Sequence, residues 1–252
     1  MAATKPALDV WIAFFDRTDG RDKLAKALQN YFRASKHYAL SGSAERTRAK
    51  KMQDSLSEFR SWIKFFKWLG LYRDFRDTLE ENRAATGGVG VAAAAELIAI
   101  GADGGYKLGD NVELLSTMRF LPFDPERCER ASKTCQFVAY TLDLVLGLRK
   151  LQKLRARASC LRRAAAAAAD AGEGADAGDA KRLQIVAADA EGKAQLALLW
   201  SLADLADWMR VTPGFCGMHG NAFGLRKHDG FSGVMGVLVG LLGCFKVYLK
   251  CR

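Results

Sequence analysis

FSGVMGVLVGLLGCF, residues 231–245, runs for fifteen residues without a charge, and its glycines keep a helical rhythm. Gly233, Gly236, Gly240 and Gly243 follow one another at +3, +4 and +3. At about 100° per residue they fall on one narrow stripe of a helix. In a soluble helix each such glycine costs roughly 1 kcal/mol against alanine. In a bilayer the same stripe lets a neighbouring helix approach closely, and Gly236-x-x-x-Gly240 is a small-xxx-small pair of that kind. The four glycines are therefore the expected helix–helix packing positions. Extended to Leu249, with Lys246 reaching up to the headgroups, the segment covers about 28 Å at ~1.5 Å rise. That is nearly the hydrocarbon thickness of a bilayer. A buried core helix of a soluble protein is the competing reading of so short a segment.

Working outward, the 252 residues suffice for one large domain or two small ones. Half of them are hydrophobic, yet mean hydropathy is near zero, so at most one or two segments are apolar enough to cross a membrane. The net charge of +10 asks for an anionic partner, either a lipid surface or nucleic acid. Six cysteines lie far apart with no C-x-x-C and no zinc-finger spacing, which suits reduced thiols facing a cytosol. The start, MAATKPALDV, lacks the charged-then-apolar pattern of a secretory signal.

Only four prolines and few alternating β-branched runs predict an all-α chain. The apolar run LDVWIAFF (8–15) stops at DRTDG, where Asp19 or Gly20 sits at the expected cap of the next helix. In that helix Leu24, Leu28, Tyr31, Phe32 and Ser35 form one face, with Lys and Arg opposite. A third helix is predicted from about 45 to 69, with a change of phase at Gly70. TGGVG (86–90) breaks the pattern, residues 91–118 resume it, and FLPFDPER (120–127) breaks it again. A long helix is predicted from about 128 past 163. The Ala/Gly/Asp tract 164–180 reads as a disordered or frayed connector, and another helix covers about 181–210 before a loop at 213–221. The organisation is thus a 1–85 membrane-binding helical region, a middle helical region 86–163, the connector, and a 181–252 unit ending in a span at about 230–249.

Residues 59–69 carry the sharpest local signal after the terminal segment. Phe59, Trp62, Ile63, Phe66 and Leu69 project to one side, and Arg60, Lys64 and Lys67 to the other. Bulky aromatic opposite basic is the composition of a helix lying in a bilayer interface, with its apolar face sunk ~5–10 Å. The first set is expected to insert and the second to meet lipid headgroups. An ordinary amphipathic helix packed on a protein core has the same pattern. The basic block RKLQKLRARASCLRR (149–163) beside the apolar 135–148 stretch suits lipid headgroups or a cytosolic end. It carries no aromatic interleaving of a nucleic-acid surface, and a solvated face explains it equally well.

No catalytic or metal constellation stands out. His37, His219 and His228 share no ligand spacing, and neither G-x-x-x-x-G-K-[ST] nor G-x-S-x-G occurs. No catalytic residue, metal or cofactor is expected. Asp143, Asp204 and Asp207 sit in apolar helices, where an acid either lines a polar pathway or pairs with a nearby cation.

Four stretches in order resemble motifs of the peroxin-11 family of peroxisomal membrane proteins: TDGRDKLAKALQNYFR (18–33), FRSWIKFFKWLGLYRD (59–74), DGGYKLGDNVELL (103–115) and DGFSGVMGVLVGLLGCFKVY (229–248). The 164–180 tract and the terminal LKCR depart from the family pattern. The resemblance implies a membrane-associated helical protein, not an enzyme, integral in the peroxisomal or glycosomal membrane with much of the chain facing the cytosol. It implies curving and elongating that membrane by amphipathic-helix insertion and self-association. It also implies anionic phospholipid, further copies of the chain, the fission machinery (a dynamin-related GTPase and its adaptors) and an import chaperone for peroxisomal membrane proteins as partners, with no nucleic acid. The alternative it brings is a non-selective pore for small metabolites.

Overall fold

A computed structural model of the chain describes residues 7–86, 90–170, 177–218 and 229–251. Among the described residues there are eight helices and no strand: α1 (Ala7–Asp16), α2 (Thr18–Tyr38), α3 (Ala44–Ile63), α4 (Lys67–Thr86), α5 (Val91–Thr117), α6 (Pro125–Asp170), α7 (Ala177–Met218) and α8 (Asp229–Cys251). Neighbours run in the order α3, α2, α8, α7, α6, α5, α4, and α3 also touches α5. The helices thus curl around a central space, with α1 set against α2 and α8.

The tightest seam joins α8 to α2, and glycine makes it. A methyl group on Gly233 would stand 2.7 Å from the Ala34 nitrogen, and one on Gly240 2.7 Å from the Ala27 backbone. One on Gly236 would collide with the Asn30 amide. The terminal stripe packs on the charged helix α2 of the same chain. Close backbone approach replaces large side chains as the source of contact here. Gly20 has a similar duty at the α1–α2 corner, where a side chain would strike the Phe14 carbonyl.

Several boundaries differ from the sequence expectation. Arg17, not Asp19 or Gly20, occupies the cap of α2 and makes no side-chain cap bond. Asp19 lies in the first turn, where it still meets the positive helix end. The predicted 45–69 helix is broken between Ile63 and Lys67, ahead of Gly70, by Phe66 at φ 64°. Of the connector, 164–170 and 177–180 are helical, because alanine is the strongest helix former; 171–176 lie outside the described residues. The loop expected at 213–221 is helical to Met218 despite Pro213, and 219–221 fall outside the description, as do His219 and His228.

Burial runs opposite to a soluble bundle. Among the described residues the shielded apolar ones are mostly alanines, and a cluster of larger ones joins Val10 and Phe14 to Val247 and Cys251. Asp22, Lys26, Gln29, Asn30, Gln136 and Ser201 are buried. Meanwhile Trp11, Phe231 and Leu241 are 49%, 42% and 58% exposed. Buried polar groups and large exposed apolar patches are the informative departures from ordinary burial.

Candidate functional site: a charged cavity inside an apolar jacket

The charged face of α2 is set by spacing. Asp22, Lys26, Gln29, Asn30 and Arg33 repeat every three or four residues, so they form one row. This row looks inward, onto a cavity of about 1160 Å³ that α3, α5, α6 and α7 also line. Eleven Lys or Arg and ten Asp or Glu bound it, so its overall charge is close to neutral and local pairing decides its chemistry.

Eight of these charges pair across helices. Lys26 Nζ lies 2.8 Å from Asp207 Oδ2, tying α2 to α7, and Arg210 reaches the same carboxylate at 3.1 Å. Arg60 Nε donates to Asp22 at 3.0 Å and its Nη1 to Gln29 at 2.6 Å, which fixes α3 on α2. Lys64 stands 4.0 Å from Asp110 and over the Tyr106 ring. The Ser132 hydroxyl, 2.7 Å from Asp110, binds α5 to α6, where Gly109 leaves room for it. Lys67 donates to Asp19 at 2.8 Å, and that hydrogen bond holds the Asp19 carboxyl below its ordinary range. Asp143 and Asp204 face the cavity with no salt-bridge partner among the described residues.

The residues singled out in 59–69 thus separate. Phe59, Trp62, Phe66 and Leu69 are 48–59% exposed, while Ile63 is half-buried. Arg60, Lys64 and Lys67 turn inward and find acids of the same chain. The turn at 64–66 makes this possible: three i→i+3 bonds, from Phe65 to Trp62, Lys67 to Lys64 and Leu69 to Phe66, redirect the chain. Both lysines then point in while the rings stay out. Of the three intrahelical acids, all three line the cavity, and Asp207 alone forms an ion pair among the described residues. Sequence reasoning missed Asp22, Lys26, Tyr106 and Asp110. Their only signal was the polar row within 18–33 and the repeat Tyr106–Asp110 one turn apart, neither of which says which face turns inward.

The outside is apolar on several helices at once. Phe231, Val234, Leu238, Leu241 and Phe245 line the exposed side of α8. Leu196, Leu199, Leu202 and Leu205 do so on α7, and Leu8, Trp11, Ile12 and Phe15 on α1. By length and composition α8 is the single described helix able to cross a membrane. Its stripe lies against α2 from Gly230 to Gly243.

Fold and surface together define a helical membrane-associated protein with a polar interior. A sequence model of the peroxisomal biogenesis factor 11 (PEX11) family matches residues 8–248. The chain belongs to that family, a family of peroxisome biogenesis factors rather than enzymes, and its place is the peroxisomal membrane. No curated protein and no solved structure matches it.

Proposed function

We propose that this chain elongates the peroxisomal membrane by sitting in it as an apolar-sided bundle and wedging one leaflet apart with its aromatic corner. The observation that carries the reading is the split at 59–69: Phe59, Trp62, Phe66 and Leu69 stand outward while the cations beside them are anchored internally. Tethering the backbone of this corner to α2 and α5 presents its rings as a rigid wedge, so less ordering entropy opposes insertion than for a free peptide. The basic 149–163 stretch of α6 is better suited to headgroup contact than Arg60, Lys64 and Lys67, since its Lys and Arg side chains carry few internal ties. Self-association, if it concentrates these wedges, uses the outer faces of α7 or α8, because α2 occupies the glycine stripe. The fission machinery and an import chaperone remain the partners we propose for the cytosolic side.

The test is full-length protein reconstituted into anionic vesicles, beside Phe66→Glu. Tubulation by the wild type, lost in the variant while the protein stays inserted, supports the wedge. Equal tubulation by both removes it.

The charged cavity favours a second reading, a conduit for small metabolites. Asp143 and Asp204, unpaired and facing the cavity, are placed to meet passing solute. Asp143→Asn should change solute flux through reconstituted vesicles at unchanged vesicle shape; flux equal to wild type counts against the conduit.

A further inference from the structure

We propose that the cavity holds a binding site for a small molecule bearing a phosphate or carboxylate group, formed by Arg33 of α2, Arg60 of α3 and Arg210 of α7. All three line the cavity, and the charges of Arg60 and Arg210 reach Arg33. Four cations gather at this level, counting Lys26, against two carboxylates that are already taken. Asp22 accepts from Arg60, and Asp207 is shared by Lys26 and Arg210. Arg33 makes no ion pair with any described residue. Asp229 attracts it from a distance, but that carboxylate stands 3.9 Å from Lys36. Asp54 and Glu58 also line the cavity without pairing to Arg33.

A guanidinium taken largely out of water without a counter-ion is costly, and two like charges beside it add to the cost. An entering anion removes both penalties. The donors are suited to receiving one. Arg60 uses Nε and Nη1 on protein acceptors, and Arg210 uses Nε and Nη2. One terminal nitrogen on each, and the whole fork of Arg33, are left for a ligand. Planar forks of this kind grip phosphate and carboxylate oxygens in pairs. The cavity volume, about 1160 Å³, admits a metabolite and not only an inorganic ion.

The proposal depends on neither the wedge nor the conduit, and its test reads neither shape nor flux. Full-length protein in neutral detergent is unfolded thermally with sodium phosphate titrated to about 20 mM, ionic strength being held constant with sodium chloride. The expected result is a saturable rise in the midpoint of several degrees, since a ligand that binds only the folded state stabilises it by mass action. Arg33→Gln, which removes an unpaired cation and should fold at least as well, is expected to lose that rise. Arg83→Gln, with the same charge removed from the exposed face of α4, is expected to keep it. A second arm replaces phosphate by phosphatidic acid in the micelle. A shift with inorganic phosphate assigns the site to soluble anions. A shift with phosphatidic acid alone, again dependent on Arg33, assigns it to a lipid headgroup. No Arg33-dependent shift in either arm, or a shift lost in Arg83→Gln and kept in Arg33→Gln, overturns the proposal.

Discussion

α2 and α8 lie against each other along most of their length, and they use their faces in opposite ways. α2 turns its charged row inward onto the cavity, where Asp22 and Lys26 find partners on α3 and α7. α8 turns its smallest residues to α2 and its largest, such as Phe231, Leu238 and Phe245, outward. In water this arrangement would waste the apolar surface that normally drives folding. In lipid it is the favourable one, because tails solvate Leu and Phe as well as a core does, and association then rests on close packing and polar pairing. The difference between the helices teaches what holds this protein together: small-residue contact on one side of α2 and ion pairs on the other.

The sharpest way to break the comparison is at its seam. Gly236→Leu places a side chain where the Asn30 amide already lies. It should cost ~3 kcal/mol or more by overpacking and prevent assembly of α2 on α8. On the outer face of the same helix, Leu238→Ala should change stability by no more than about 1 kcal/mol in detergent, since no cavity opens in the protein. Thermal unfolding of both variants checks the contrast. The next largest effect is expected at the polar face. Asp207→Asn leaves Lys26 and Arg210 without their shared carboxylate, a loss of about 3 kcal/mol by the behaviour of broken buried pairs. Adding Lys26→Met should restore a good part of it, and a double-mutant cycle measures how much.

The smallest expected effect is at the corner. Lys67 pairs with Asp19, whose side chain is 66% exposed, so Lys67→Ala should cost less than about 1 kcal/mol. Asp19 titrates below its ordinary value in the fold, so this contribution is present above pH 3.8 and is lost as pH falls through the lowered pKa. A shallow acid-side difference between wild type and Lys67→Ala is the signature.

The sequence made some of this legible and hid the rest for physical reasons. The α8 glycines announce a packing stripe because period and residue size are local properties. The outward rings of 59–69 follow from helical spacing too. The break at 64–66 does not, because φ 64° at Phe66 is favoured by no local signal and is held by contacts of Lys64 and Lys67 with α5 and α2. The polar row of α2 was visible, but its direction depends on Asp207, 181 residues away. Pairings at that separation have no trace in a single chain's periodicity. The family motifs reached the family, and the cavity needed the fold.

A polar interior inside a lipid-facing jacket is best tested by the collisional accessibility of single nitroxide labels in reconstituted full-length protein. One label replaces Leu238 on the outside of α8, and another replaces Gln136, which lines the cavity. The label at 238 should collide with lipid-soluble oxygen and be shielded from a water-soluble nickel chelate, and the label at 136 should show less oxygen contact and more chelate contact. Chelate contact at 238 equal to or above that at 136 would contradict this arrangement and return α8 to the core of a water-soluble protein.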